Sequence, residues 1–285
     1  MMNNRQKFLF ASLLGFLALS AGALPAAAAT STSLGTASSF AVLSAAPVNG
    51  GAVTCTDSTI TGDVGSSGQA ASVVQTSCTI TGAVIAPVSS QVLTDFNGGY
   101  DALAAQFCDR TLTGTLAGVT LAPGVYCFDA AATLTGTLTL DGPSTGIWIF
   151  KIGTSGTGAL TGTNFSVVMA SGAVVCNVYW WVHDAATMTT SDFKGTILAG
   201  AAITVTGGTF AGRALAKAAV TLTGVAATGC GSGTGVIPLK QKCNQGVGNG
   251  PEGCDPGNSN QGYPFRSNDE MGGVPGAPGR KGGNK

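Results

Sequence analysis

The chain has 285 residues, 13 basic and 13 acidic side chains and a single His; 9% is charged, 44% is apolar, and Gly occupies 44 positions and Thr 35. No basic excess is present to neutralise phosphates, which argues against a nucleic-acid binder. High apolar and low charged content exclude a disordered chain as a whole, and the absence of Glu before Glu252 excludes an ordinary helical bundle.

Arg5 and Lys7 open the chain, Phe8 to Leu24 is apolar, and Pro25 to Ala29 is small-residue rich. That order is the pattern of a secretory signal. The expected organisation is a signal peptide over 1–29, a β domain over 30–230 and a C-terminal tail over 231–285. Cleavage removes the apolar run, so no membrane span is expected in the mature, secreted protein. Its net charge is then about −2, which disfavours partners chosen by strong charge.

The body repeats a short pattern of Thr, apolar residue, Thr, usually with Gly next. Copies begin at Thr59, Thr79, Thr111, Thr133, Ala159, Thr187, Thr204 and Thr221. Spacings of roughly 17 to 30 residues are a solenoid signature. Alternation with period 2 sends the central apolar residue inward and both Thr outward. Gly after the second Thr permits a corner. Stacked coils would share one narrow apolar core.

One segment departs from this pattern. Val92, Phe96, Tyr100, Leu103 and Phe107 recur at helical spacing, which predicts a helix over about 87–107. Pro87 suits its first turn and Ser89 or Ser90 its N-cap. Gly98 and Gly99 each weaken it by roughly 1 kcal/mol relative to Ala, so tertiary packing must hold it. A lone helix beside a solenoid most simply covers one face.

Eight Cys remain after signal removal: Cys55, Cys78, Cys108, Cys127, Cys176, Cys230, Cys243 and Cys254. An even number in an exported chain reads as disulfides. Nearness in sequence suggests 55 with 78, 108 with 127 and 243 with 254, leaving 176 with 230, among 105 possible pairings. A zinc site is disfavoured, because no CxxC pair exists and His183 is alone. Beyond Cys230 the chain is rich in Gly, Pro, Asn and Gln and is read as a largely disordered tail. Asp255 to Asn260 offers oxygen ligands but lacks the EF-hand spacing, so a turn is preferred to calcium. No metal or other cofactor is expected.

Several segments in order resemble the secreted ice-binding proteins of microbes. They are Leu34 to Leu43, Gly62 to Gly65, Leu121 to Tyr126, Leu138 to Gly142, Ile147 to Ile152, Asn177 to Val182, Phe193 to Ala199 and Gly212 to Ala216. The resemblance runs from about Leu34 to Gly229. It implies a mostly β fold: a right-handed, discontinuous β-solenoid of triangular section with one long α-helix packed alongside. It also implies a non-enzymatic monomer whose partners are the ice crystal surface and its ordered water.

Ice offers neither charge nor pocket, so such a binder must present a flat, rigid face that orders water. Two outward Thr on one strand stand about 6.6 Å apart and neighbouring strands about 4.8 Å apart, both near repeats of the ice lattice. The late coils have the most regular spacing. The expected face is therefore Thr161, Thr163, Thr187, Thr189, Thr204, Thr206, Thr209, Thr221 and Thr223, with Thr161 to Asn164 and Thr206 to Thr209 also fitting a looser surface motif seen in the family. Thr ladders also stabilise sheets without any ligand. An extracellular adhesin binding cell-surface polysaccharide on the same scaffold is the alternative, for which Trp180 and Trp181 could offer stacking, although core packing of one Trp is preferred. A catalytic site is disfavoured: the nine Asp of the body are scattered, and His183 beside Asp184 has no nucleophile motif around it.

Overall fold

A computed structural model describes residues 29–46 and 50–231. The expected signal peptide, the pairing of Cys243 with Cys254 and the tail lie outside the described residues.

The described chain is mostly strand, with one α-helix and parallel pairing throughout. One sheet has nine strands. It stacks Val84–Ile85, Asp63–Ser66, Phe40–Ser44, Ala214–Ala216, Thr196–Ala199, Val178–Val182, Trp148–Ile152, Gly124–Phe128 and Arg110–Thr111 in that spatial order. The order is discontinuous in sequence: Phe40–Ser44 lies between Asp63–Ser66 and Ala214–Ala216. The first coils of the chain thus continue the stack begun by the last ones.

The second sheet runs Val73–Thr76, Val53–Thr56, Val220–Thr223, Ile203–Ala211, Ala186–Lys194, Leu160–Ala170, Ala132–Asp141 and Val119–Leu121. Its long strands turn part-way along. The turning residues are Ser77, Asp57, Gly224, Gly207, Thr190, Asn164 and Gly136, all with φ between 47° and 69°. They follow the register of the strands and stack as one ridge. Gly accepts a left-handed backbone without penalty, and Asn and Asp tolerate it. Thr190 is β-branched and sits there at a cost. Beyond the ridge a further arm contains Ala226–Thr228, Thr59–Thr61 and Thr79–Ile80. The Thr-apolar-Thr copies at Thr59 and Thr79 therefore belong to a different arm from the later copies, and Arg110–Thr111 belongs to the first sheet.

Alternation fills the space between the sheets. Ala132–Asp141, for example, buries Ala132, Leu134, Leu138 and Leu140 and leaves Thr133 and Thr137 exposed. Rings stack along the coils: Phe150 lies 3.9 Å from Trp180, and Phe193 lies 5.5 Å from Phe210. Shape complementarity is local. Gly162 occupies an inward position where a Cβ would stand 2.6 Å from the Met188 sulfur, so the Met fills what the Gly leaves.

The helix spans Ser90–Ala104 and covers the outer side of the nine-stranded sheet. Val92, Phe96, Gly99, Tyr100 and Leu103 are buried there with Leu43, Ile149, Trp181, Leu198 and Leu215 of the sheet. It is shorter than the expected 87–107. Ser89 occupies the N-cap position without a side-chain cap bond, and Pro87 precedes the helix. At the other end Lys151 Nζ donates to the carbonyls of Ala104 and Gln106, at 2.7 and 2.6 Å. Those are carbonyls a helix terminus leaves without partners, and a cation suits that end. Burial lowers the pKa of the Lys151 amine. Phe107, expected on the apolar face, is 87% exposed, because the helix ends three residues before it. Gly99 has a packing reason: a Cβ there would come within 2.6 Å of Leu34.

Three disulfides close the described part: Cys55–Cys78, Cys108–Cys127 and Cys176–Cys230. The first two match the pairings expected from nearness in sequence, and the third matches the pairing left over.

Candidate functional site: a double ladder of threonine

In the second sheet, on the near side of the ridge, each strand carries one inward residue between two outward ones. Register aligns the outward residues into two columns. The first runs Thr133, Thr161, Thr187, Thr204, Thr221, Thr54 and ends on Val74. The second runs Thr163, Thr189, Thr206, Thr223, Thr56 and Thr76. Beneath them lie Leu134, Met188, Val205, Leu222 and Cys55, all buried.

The local cause is the strand's alternation; the array arises because parallel pairing keeps like above like. None of the twelve Thr in these columns makes a side-chain hydrogen bond to a described residue. Elsewhere Thr hydroxyls are spent: Thr36 donates to Asp95, Thr94 to the Ser90 carbonyl and Thr190 to Asn164. The ladder's hydroxyls have no such partner among the described residues. It carries no charged side chain. A surface of this kind can fix water in rows at the strand spacing, since waters held by protein groups bind nearly as well as direct partners.

Eight of the nine Thr expected from the sequence stand together in the ladder. Thr209 lies past the ridge, where its hydroxyl donates to Asp192. The chain turns at Gly207 and Gly208, with φ 66° and 81°, between Thr206 and Thr209. Thr133, Thr54, Thr56 and Thr76 complete the columns and lie outside the expected set. Thr133 was visible as a repeat copy but sits outside the evenly spaced late coils. Thr54-Cys55-Thr56 was hidden because its inward residue is a Cys and its partner strand comes from the far end of the chain.

Other candidate groups are accounted for structurally. Trp180 is fully buried between the sheets and Trp181 is buried under the helix, 5.2 Å from Tyr100; neither offers a stacking platform to a sugar. His183 Nδ1 lies 2.8 Å from Asp184, which also accepts from the Gly158 amide at 2.8 Å. The His183 hydrogen bond is the main reason the Asp184 carboxyl titrates below its ordinary value. Asp192 pairs with Lys194 at 2.6 Å. Its hydrogen bonds to Lys194 and Thr209 outweigh the opposing effect of burial, which is the largest single influence, so its pKa is lowered. Among the described residues no group of three or more His, Cys, Asp or Glu is placed to hold a metal, and no helix is long and apolar enough to cross a membrane.

Comparison with known proteins identifies the family. The sequence profile of the ice-binding-like family matches residues 42–228. An ice-binding protein of Nostoc sp. (strain HG1) is 37% identical over 199 residues, covering 68% of this chain and 71% of its own. The crystal structure of an ice-binding protein from an Antarctic biological consortium superposes with a TM-score of 0.63 at 32% identity, over 73% of this chain and 96% of that one. That of the Antarctic ascomycete Antarctomyces psychrotrophicus gives 0.62 at 33% identity, over 72% and 100%. The chain belongs to the ice-binding family.

Proposed function

We propose that this protein is exported and adsorbs to ice through the double Thr ladder, and so restrains ice growth or recrystallisation. The carrying observation is the pair of aligned Thr columns whose hydroxyls bond no described residue. Parallel strands about 4.8 Å apart, each with two Thr about 6.6 Å apart, present a two-dimensional lattice rather than isolated hydroxyls. Adsorption then needs no charge, cofactor or catalytic group, and a single monomer suffices. The coil is read as right-handed and triangular in section: the helix-covered sheet, the ladder, and the arm beyond the ridge. Export is supported by the three disulfides, which persist in oxidising compartments, and by the signal-like start of the sequence.

The test is ice recrystallisation inhibition by the purified mature protein beside a Thr206→Tyr, Thr223→Tyr variant. Inhibition by the wild type and its loss in a variant of unchanged circular dichroism support the reading. Failure of the folded wild type to inhibit overturns it.

A further inference from the structure

The ladder is not the last Thr array on this chain. Past the ridge, Thr79 pairs in register with Thr59, Thr59 with Ala226, and Ala226 with Thr209. Thr61 pairs with Thr228, and Thr228 with Ala211. These outward residues again stand two apart on their strands, over buried Ile60, Ala227 and Phe210. Thr59, Thr61, Thr79 and Thr228 make no side-chain hydrogen bond to a described residue.

The patch has defined limits. Asp57 stands on the ridge, exposed, at φ 47°, between Thr56 of the ladder and Thr59 of the patch. At the other margin the Asp192–Lys194 ion pair captures the Thr209 hydroxyl. Within those limits only Thr and Ala project outward. The left-handed residues of the ridge separate this array from the ladder along each coil.

We infer that the arm beyond the ridge is a second ice-adsorbing surface, built from Thr59, Thr61, Thr79 and Thr228, that engages ice in a different orientation from the ladder. This rests on the reading of the ladder as an ice-adsorbing face. It gives the patch the same chemistry: hydroxyls without partners among the described residues, small side chains between them and no internal charge. The patch is smaller and less regular than the ladder, so it adds a second mode of adsorption and does not replace the first.

The experiment is adsorption of fluorescently labelled mature protein to single-crystal ice hemispheres, which reads out the crystal planes that are decorated. Four proteins are compared: the wild type, the ladder variant Thr206→Tyr, Thr223→Tyr, the patch variant Thr59→Tyr, Thr228→Tyr, and the combination of all four substitutions. Circular dichroism and thermal melting confirm that each is folded, and Thr59→Lys replaces the patch variant if that one fails to fold. The expected result is that the ladder variant loses some decorated planes and keeps others, which the combination then loses. A ladder variant that decorates no plane, from a wild type that does, overturns the second surface and leaves the ladder reading standing. A patch variant whose decorated planes match those of the wild type likewise counts against the second surface. A folded wild type that decorates nothing overturns both.

Discussion

Thr221 is the register partner of Thr54, although the helix and every middle coil separate the two in sequence. The Thr ladder therefore crosses the seam where the first coil of the chain meets the last. The later coils carry most of the ladder, and Thr54, Thr56 and Thr76 extend it across the seam.

Substitution on the N-terminal side of that seam should matter as much as on the C-terminal side. Thr54→Tyr or Thr56→Tyr is expected to abolish most recrystallisation inhibition, because a large ring stands above the Thr plane. Both positions face outward, so stability should change by less than about 0.5 kcal/mol. Inhibition assays and thermal melting on the same preparations check this. Full inhibition by the Thr54→Tyr variant would confine the working face to the late coils.

Cys55 lies directly beneath Thr54 and Thr56, and its disulfide to Cys78 closes a loop with a sequence separation of 23. Replacing both Cys by Ser is expected to cost about 3 kcal/mol by loss of the cross-link's restraint on the unfolded chain. The terminal coil should loosen first, because its strands Val73–Thr76 and Thr79–Ile80 sit at the open edge of the stack. Hydrogen exchange should show lost protection there before the aromatic core around Trp180.

Asp95 on the helix accepts two hydrogen bonds from Thr36, from the amide and the hydroxyl, each at 2.7 Å, and one from Gln91. The Thr36 bonds are the main cause of its lowered pKa. A carboxylate whose folded pKa is depressed adds stability that is present above its unfolded value and is lost as pH falls through the folded one. The melting temperature should therefore fall on acidification below about pH 4. Asp95→Asn should flatten that acid limb while lowering the melting temperature at neutral pH, as the N-terminal segment loses its tie to the helix.

Gly208 follows the ridge residue Gly207 in the same left-handed turn. Gly208 has φ 81°, and a Cβ there would collide with the backbone carbonyl of Ser191. Gly208→Ala is expected to destabilise the fold by more than Gly224→Ala does, because the clash adds to the cost of a positive φ, read from chemical denaturation. Gly224, also at positive φ but with nothing within 4 Å, should pay only the conformational penalty, roughly 1–2 kcal/mol. Equal costs at the two sites would count against close stacking at the ridge.

Much of the ladder was legible in the sequence because the strand period is local. Thr-Val-Thr and Thr-Leu-Thr need only alternation to place both Thr on one side, and the 17-residue spacing of the last coils aligned them. The same three-letter pattern at Thr59 and Thr79 left their arm undecided, since alternation fixes in and out but not which arm a strand joins. That is decided by where the chain adopts the left-handed turn. Asn164, Thr190, Asp57 and Ser77 take that turn as well as Gly, so the corner has no single residue signature.

Sequence by itself determined the alternating strands, the helix and its buried face, the coil repeat and the pairings Cys55–Cys78 and Cys108–Cys127, because each depends on residues near one another in the chain. The tertiary structure alone decided that the first coil stacks on the last, that Thr54 and Thr56 extend the ladder, and that Thr209 leaves it. These are long-range register and turn-geometry outcomes. They follow from how parallel edges pair and where the core of Leu222, Cys55 and their neighbours closes, which no local spacing encodes.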